Sequence, residues 1–178
     1  AAGPPPKNRP MRTPNITASL LLASLCACGG DSAPTFSDPV NALDAASRAV
    51  SAKDMTTARA GFTFASENAA GNPKLLYQAL MGLGEVQTKE GNLEEAYGTF
   101  SRVESECATL CDLHGHQRII DAWLSAGPGA LSQAKKALAA AEKKYPNELD
   151  ALERQRQGIH AVESGDTEAL SGLGYVGD

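Results

Sequence analysis

Apolar residues recur in three segments of the chain at the same positions relative to one another. Within each segment they step by three and four residues, so they form one stripe of an α-helix and leave the charged residues on the other face. Corresponding positions in successive segments lie 38 residues apart. A unit of this length repeated along a chain is typical of stacked helical modules, which offer a binding surface rather than a catalytic pocket. The three sets are Met55, Ala58, Phe62 and Ala65; Leu93, Ala96, Phe100 and Val103; and Leu131, Ala134, Leu138 and Ala141.

A second helical stretch precedes the apolar stripe in each unit, most clearly in the middle one. There it runs from Tyr77 to Gln87 and ends at the turn 89–92. Gly91 can adopt the positive φ that ends one helix, and Asn92 can cap the next helix together with Glu95 in a capping box. Each unit is therefore predicted to be a helix, a tight turn and a second helix.

The middle unit resembles the tetratricopeptide (TPR) repeat, in which small residues let two antiparallel helices approach and an aromatic ring fills the gap. The flanking units match the same pattern in part. The resemblance implies an all-α fold for residues 39–178, a TPR-like α-solenoid of about three helix-turn-helix repeats plus a C-terminal capping helix. The matching residues are Leu83-Gly84, Gly91-Asn92-Leu93, Ala96 and Phe100, with Asp38-Pro39, Lys53-Asp54-Met55, Ala58 and Phe62 before them and Leu131, Ala134, Leu138, Ala141 and Pro146 after them.

Two departures from the TPR pattern affect the expected geometry. TPR units are about 34 residues long, so the longer step adds roughly one helical turn per unit, predicted at 69–72 and around 107–111. In the third unit Arg118 and Asp121 stand where bulky apolar residues are expected, which indicates that its first helix is shifted in register. The displaced apolar residues are Ile119, Ile120, Trp123 and Leu124.

The beginning of the chain has the pattern of an export signal. Three basic residues precede an apolar run at 16–27, which as a helix would rise about 18 Å, too short for a bilayer core of about 30 Å. The string Leu25-Cys26-Ala27-Cys28 resembles a bacterial lipoprotein signal, which implies cleavage before Cys28 and lipid attachment to it. Residues 1–27 are then a signal peptide with an upstream extension, and 28–38 a lipid-anchor tether. Gly29 after the cysteine, with no Asp there, resembles lipoproteins that are sent on to the outer membrane, which implies a position on its periplasmic face.

Charge narrows the class of partner. The chain has a formal net charge of −5, and loss of Lys7, Arg9 and Arg12 with the signal takes it to −8. An acidic excess of this size argues against nucleic acid, because phosphate binding requires a basic patch. It argues equally against attraction to anionic lipid headgroups, so the lipid anchor would provide the attachment to the membrane.

One cluster in the sequence has the composition of a metal site or a disulfide: Cys107, Cys111, His114 and His116. Thiolates and imidazoles are ligands that zinc prefers, but the spacing is not a usual zinc pattern. An oxidising compartment favours a Cys107–Cys111 disulfide, which requires the helix to stop between the two residues. Both interpretations remain open at this point. We expect no cofactor.

Nothing in the sequence predicts an enzyme, since there is no nucleophile-elbow, metalloprotease or phosphate-loop motif. The resemblance instead implies a membrane-tethered scaffold or adaptor of the cell envelope, holding a peptide or partner protein in a groove lined by the first helix of each unit. The alternative is a metal- or small-ligand-binding lipoprotein using the cysteine and histidine cluster. Trp123 has a second interpretation as a core residue. The partner-binding candidates are Gln78, Met81, Glu85, Thr88, Lys89, His116, Ile119 and Trp123.

Overall fold

The computed structural model describes Gly3 and residues 34–175, and these residues form helices and no strands. The expected all-α class is therefore confirmed for the described part of the chain. The predicted signal peptide and Cys28 lie outside the described residues, as does the predicted tether up to residue 33. The helices are α1 (Pro39–Ser51), α2 (Met55–Glu67), α3 (Pro73–Lys89), α4 (Leu93–Glu106), α5 (Leu113–Ser125), α6 (Leu131–Lys144), α7 (Glu153–Ser164) and α8 (Thr167–Gly172), with short 3-10 segments at Pro128–Ala130 and Leu149–Leu152.

Short polar side chains start most of these helices by accepting a hydrogen bond from a backbone N–H in the first turn. Asp38 accepts from Asn41 N at 2.8 Å, as the predicted cap before Pro39 requires. Asp54, Asn72, Asp112 and Asp166 start α2, α3, α5 and α8 in the same way.

The capping box predicted at the start of α4 is wrong. The Asn92 side chain accepts no bond from the helix, and its Nδ2 donates to the Glu90 carboxylate at 3.3 Å. Glu90 competes for this amide because it ends the preceding helix beside it. The turn is otherwise as expected, since Gly91 has a φ of 76°.

Successive helices fold back on one another, which fixes the direction of α1, α2 and α3. Ala42 of α1 lies in one buried cluster with Ala65, near the end of α2. Ala49, seven residues later in α1, shares another cluster with Ala58, near the start of α2. The pairing runs in opposite directions along the two helices, so they are antiparallel. Ala79 and Val86 of α3 join the same two clusters in turn, so α3 runs parallel to α1.

Two glycines on α3 receive the aromatic residues of the helices on either side. A Cβ atom at Gly82 would lie 2.5 Å from the Phe62 ring, and one at Gly84 would lie 2.5 Å from the Phe100 ring. Both rings are nearly fully buried. Small residues on α3 therefore permit the close helix approach that the repeat pattern indicated.

The third unit pairs α5 with α6 and has the shifted register that Arg118 and Asp121 indicated. Ala134, Leu138 and Ala141 of α6 are buried as predicted. The connections at 68–72 and 107–112 are longer than the three-residue turns 52–54 and 90–92, so the additional residues of the repeat lie where they were expected. The buried residues of α5 include Ile119, Ile120, Trp123 and Leu124.

In the C-terminal part of the fold, α7 packs against α5 and α6, and α8 packs against α7. Gly158 of α7 makes room for Tyr175, because a Cβ atom there would lie 2.6 Å from the tyrosine ring and 2.8 Å from Leu124. Gly165 ends α7 with a φ of 70°. Leu152, Ile159 and Leu170 supply the buried side chains, so this part of the chain closes the apolar end of the helical array.

Candidate functional site: a groove along α1, α3 and α5

Helix α3 lies between α1 and α5, and the three helices form one side of the described structure. Between them run two adjoining cavities of about 430 and about 190 Å³, which share Glu85, Lys89 and Arg118 in their walls. We call these two cavities together the groove. Its other lining residues are Leu43, Asp44, Ser47, Val50, Phe62, Gln78, Gly82, Val86, Thr88, Asp121, Ala122 and Ser125.

Four of the eight predicted binding residues line this groove. Gln78, Glu85 and Lys89 lie in the wall of the larger cavity, and Thr88 lies in the smaller one, where it is almost completely buried. All four are on α3, where the sequence pattern was strongest. These four predicted residues therefore lie together in the α3 wall of the groove.

The other four predicted residues lie elsewhere. Met81 is fully buried in the main core, because it faces α4 and α5 rather than the groove. His116, Ile119 and Trp123 are also buried, and Trp123 packs edge-on against Phe100 with ring centroids 5.4 Å apart. The shift of α5 turns these three residues away from the groove. The interpretation of Trp123 as a core residue therefore fits its position, and the interpretation as a binding residue does not.

Arg118 and Asp121 occupy the α5 side of the groove, and the sequence prediction did not include them. The signal was present, since two charged residues stood where apolar ones were expected. Arg118 donates from Nη2 and Nε to Glu85 Oε1, at 2.6 and 3.0 Å. This ion pair connects α3 to α5 across the groove.

Asp121 anchors the C-terminal residues to α5. One carboxylate oxygen accepts from the Tyr175 hydroxyl at 2.7 Å and from Gln155 Nε2 at 3.0 Å. The other accepts from Arg154 Nη1 at 3.1 Å. Burial and the Asp121 carboxylate both raise the pKa of Tyr175, so its hydroxyl remains a donor at neutral pH. One end of the groove is held in place by this network.

The predicted cysteine and histidine cluster is divided by the start of α5. Cys107 and Cys111 are buried and are not bonded to each other in the structure, whereas His114 is exposed and His116 is buried. In the described residues no group of three or more His, Cys, Asp or Glu side chains could hold a metal ion. The metal-binding alternative has no support in this geometry, and the disulfide stays a prediction.

His116 and Cys111 belong to a polar cluster between α5 and the end of α6. Lys144 Nζ donates to the Cys111 carbonyl oxygen at 3.1 Å and lies 3.3 Å from His116 Nε2. Burial, together with the Lys144 ammonium, lowers the pKa of His116, so the ring is neutral at pH 7. Burial raises the pKa of the Cys111 thiol to about 11, which makes it a poor nucleophile.

A larger cavity, about 890 Å³, lies on another side of the fold, over α2. Its cationic residue, Arg59, is already engaged by Glu90 at 2.6 Å and Glu95 at 3.3 Å. The cavity is lined mainly by apolar groups that include Phe36 and Phe64. The groove is the better candidate because three helices contribute to it and exposed charged groups converge there.

The chain matches no family model, and it is similar to no curated protein and to no solved structure at a significant level. The fold and the groove geometry are therefore the basis for inferring function. None of the helices within residues 34–175 combines the length and the apolar character needed to cross a membrane.

Proposed function

We propose that this protein is a membrane-tethered interaction module of the bacterial cell envelope, with a TPR-like solenoid that binds a peptide or a segment of a partner protein. The observation that carries the proposal is the groove formed by α1, α3 and α5, the first helices of three successive pairs. A groove of this kind recognises an extended or helical segment through apolar contacts in its floor and polar contacts at its rim.

The anchor in this proposal is a lipid on Cys28, and the localisation is the periplasmic face of the outer membrane. Both rest on the lipoprotein-like signal in the sequence. The acidic net charge of the chain is consistent with a lipid anchor, because electrostatic attraction cannot hold an acidic domain on an anionic surface.

The experiment is photo-crosslinking in intact cells from a reactive amino acid introduced at Gln78, which is exposed in the groove wall. We expect one discrete crosslinked product from this position. A reactive group at Lys143, exposed in the last turn of α6, serves as the control position and should give no product of that size.

A plug variant then tests whether the groove itself is occupied. Ser47→Trp places an indole in the wall of the larger cavity and should abolish the crosslinked product. Ser105→Trp is the matched control, since both serines are exposed helical residues that donate to the carbonyl oxygen four residues before them. A product that persists in Ser47→Trp, or that is lost equally in both variants, contradicts binding in the groove.

A further inference from the structure

The larger cavity of the groove has one exposed acidic and one exposed basic residue without an ionic partner. Asp44 lies on α1, and Lys89 is the last residue of α3. Within the described part of the chain, neither has an oppositely charged group within 4 Å. The remaining two charges of this cavity, Glu85 and Arg118, neutralise each other at 2.6 Å.

These two free charges lie at different levels along the groove. Because α1 and α3 run parallel with Ala49 level with Val86, Asp44 lies about eight residues before the level of Lys89. At about 1.5 Å of rise per residue, the two levels are about 12 Å apart, which an extended peptide covers in about three to four residues. The groove thus has a negative and a positive position at a defined spacing.

Apolar side chains form the floor between the two charges. Leu43 and Val50 contribute from α1, Val86 from α3, and Phe62 from α2. Gly82 adds no side chain, and the Phe62 ring fills the place where its Cβ atom would lie. A ligand that fills this space must present apolar groups between its own charged groups.

We propose that the groove selects a bipolar peptide segment, with a basic side chain at Asp44, an acidic side chain at Lys89 and apolar residues between them, the two charged residues being about three to four positions apart. This inference rests on the proposed function and names the chemistry of its partner. Complementary charges at both ends would fix the direction in which the segment lies, which an apolar floor alone cannot do.

The test is selection from a random nine-residue peptide library on the immobilised chain, carried out in parallel on the wild type and on the double variant Asp44→Lys with Lys89→Glu. Wild-type binders should carry a basic and an acidic residue about three to four positions apart with apolar residues between them. The double variant should select the same spacing with the charges in the opposite order.

Single variants measure the contribution of each charge to the affinity of one selected peptide. Asp44→Lys and Lys89→Glu should each weaken binding by about fivefold or more, since reversal turns a rim attraction into a repulsion. Lys143→Glu is the matched control, because Lys143 is likewise an exposed lysine in the last turn of its helix and should leave the affinity unchanged.

The outcomes distinguish this proposal from the one on which it rests. Binders without the charge pattern, or the same binders selected by both proteins, overturn the bipolar segment while the groove remains a binding site, provided that Ser47→Trp still abolishes binding. Peptides that bind Ser47→Trp as well as wild type, or a library that yields no binders, overturn both.

Discussion

At Gly84 the ring of Phe100 occupies the space where any larger residue would place its Cβ atom. We expect Gly84→Ala to destabilise the fold by about 1–3 kcal/mol, because the ring must move out of a packed interface. The higher helix propensity of alanine, about 1 kcal/mol, offsets only part of this loss. Urea unfolding followed by circular dichroism measures the change in the free energy of unfolding.

Gly98 provides the control for this prediction. It lies inside α4, is exposed, and a Cβ atom there would meet nothing within 4 Å. Gly98→Ala should therefore stabilise the protein by about 0.5–1 kcal/mol through helix propensity alone. Equal effects of the two substitutions would contradict the packing of Phe100 against α3.

The buried ring of His116 predicts a dependence of stability on pH. Its pKa is lowered in the folded state by burial and by Lys144, whereas in the unfolded chain it is about 6.5. Between these two pKa values the unfolded state binds more protons, so stability falls as the pH decreases below about 6.5, by at most about 1.4 kcal/mol per pH unit. The loss is complete once the pH is below the folded pKa.

Glu104 changes the stability in the opposite direction as the pH decreases, because burial raises its pKa. A substitution of His116 separates the contribution of the histidine from that of Glu104. The free energy of unfolding of His116→Gln, measured between pH 7 and pH 5, should decrease less than that of wild type. His114→Gln changes an exposed ring only two residues away and should retain the wild-type slope. The same slope in all three proteins would exclude a shifted His116.

At the scale of helices, the sequence predicted best where one face of a helix must be buried. The stripes of α2, α4 and α6 lie at their expected positions because alanine, leucine and phenylalanine at helical spacing have one favourable location, the core. The all-helical class and the longer connections followed from the same pattern. The way in which α4 starts did not follow from this pattern, because Glu90 competes for the Asn92 side-chain amide.

The groove side of α5 could not be predicted with the same certainty, for a physical reason. A buried apolar face restricts the rotation of a helix, but it does not show which flank of the polar face meets a neighbour. Arg118 faces the groove because its guanidinium can reach Glu85, 33 residues earlier in the chain. Only the packed structure reveals such a contact between helices.

The contact of Tyr175 with Asp121 predicts how the last helix is held. Tyr175→Phe removes one hydrogen bond to a carboxylate and should destabilise the protein by about 1.5–3 kcal/mol, with Gln155 and Arg154 retained by Asp121. The substitution should accelerate amide hydrogen exchange more in α8 than in α1. Tyr97→Phe is the control, because Tyr97 is 54% exposed and its hydroxyl makes no hydrogen bond within the described residues.

On the scale of the whole molecule, the charged residues proposed to bind a partner are not among the buried residues that stabilise the fold. The main core joins α3 to α8 through buried side chains, whereas the groove exposes charged groups that add little to the free energy of folding. Charge substitutions at Asp44 or Lys89 are therefore compatible with an intact fold. A change in affinity caused by either substitution can therefore be attributed to the groove rather than to unfolding.

The proposed anchor gives a prediction for the molecule as a whole. In a Gram-negative host, the chain should be recovered with membranes after a high-salt wash and released by detergent, because an acidic domain on a lipid anchor does not depend on electrostatic attraction. Cys28→Ser should remove the anchor and yield protein that does not partition into detergent. Circular dichroism and unfolding of the variant should match those of the wild type, since the helical domain begins at Pro39. Release of the wild type by salt alone, or retention of Cys28→Ser in the detergent phase, would assign the attachment to another part of the chain.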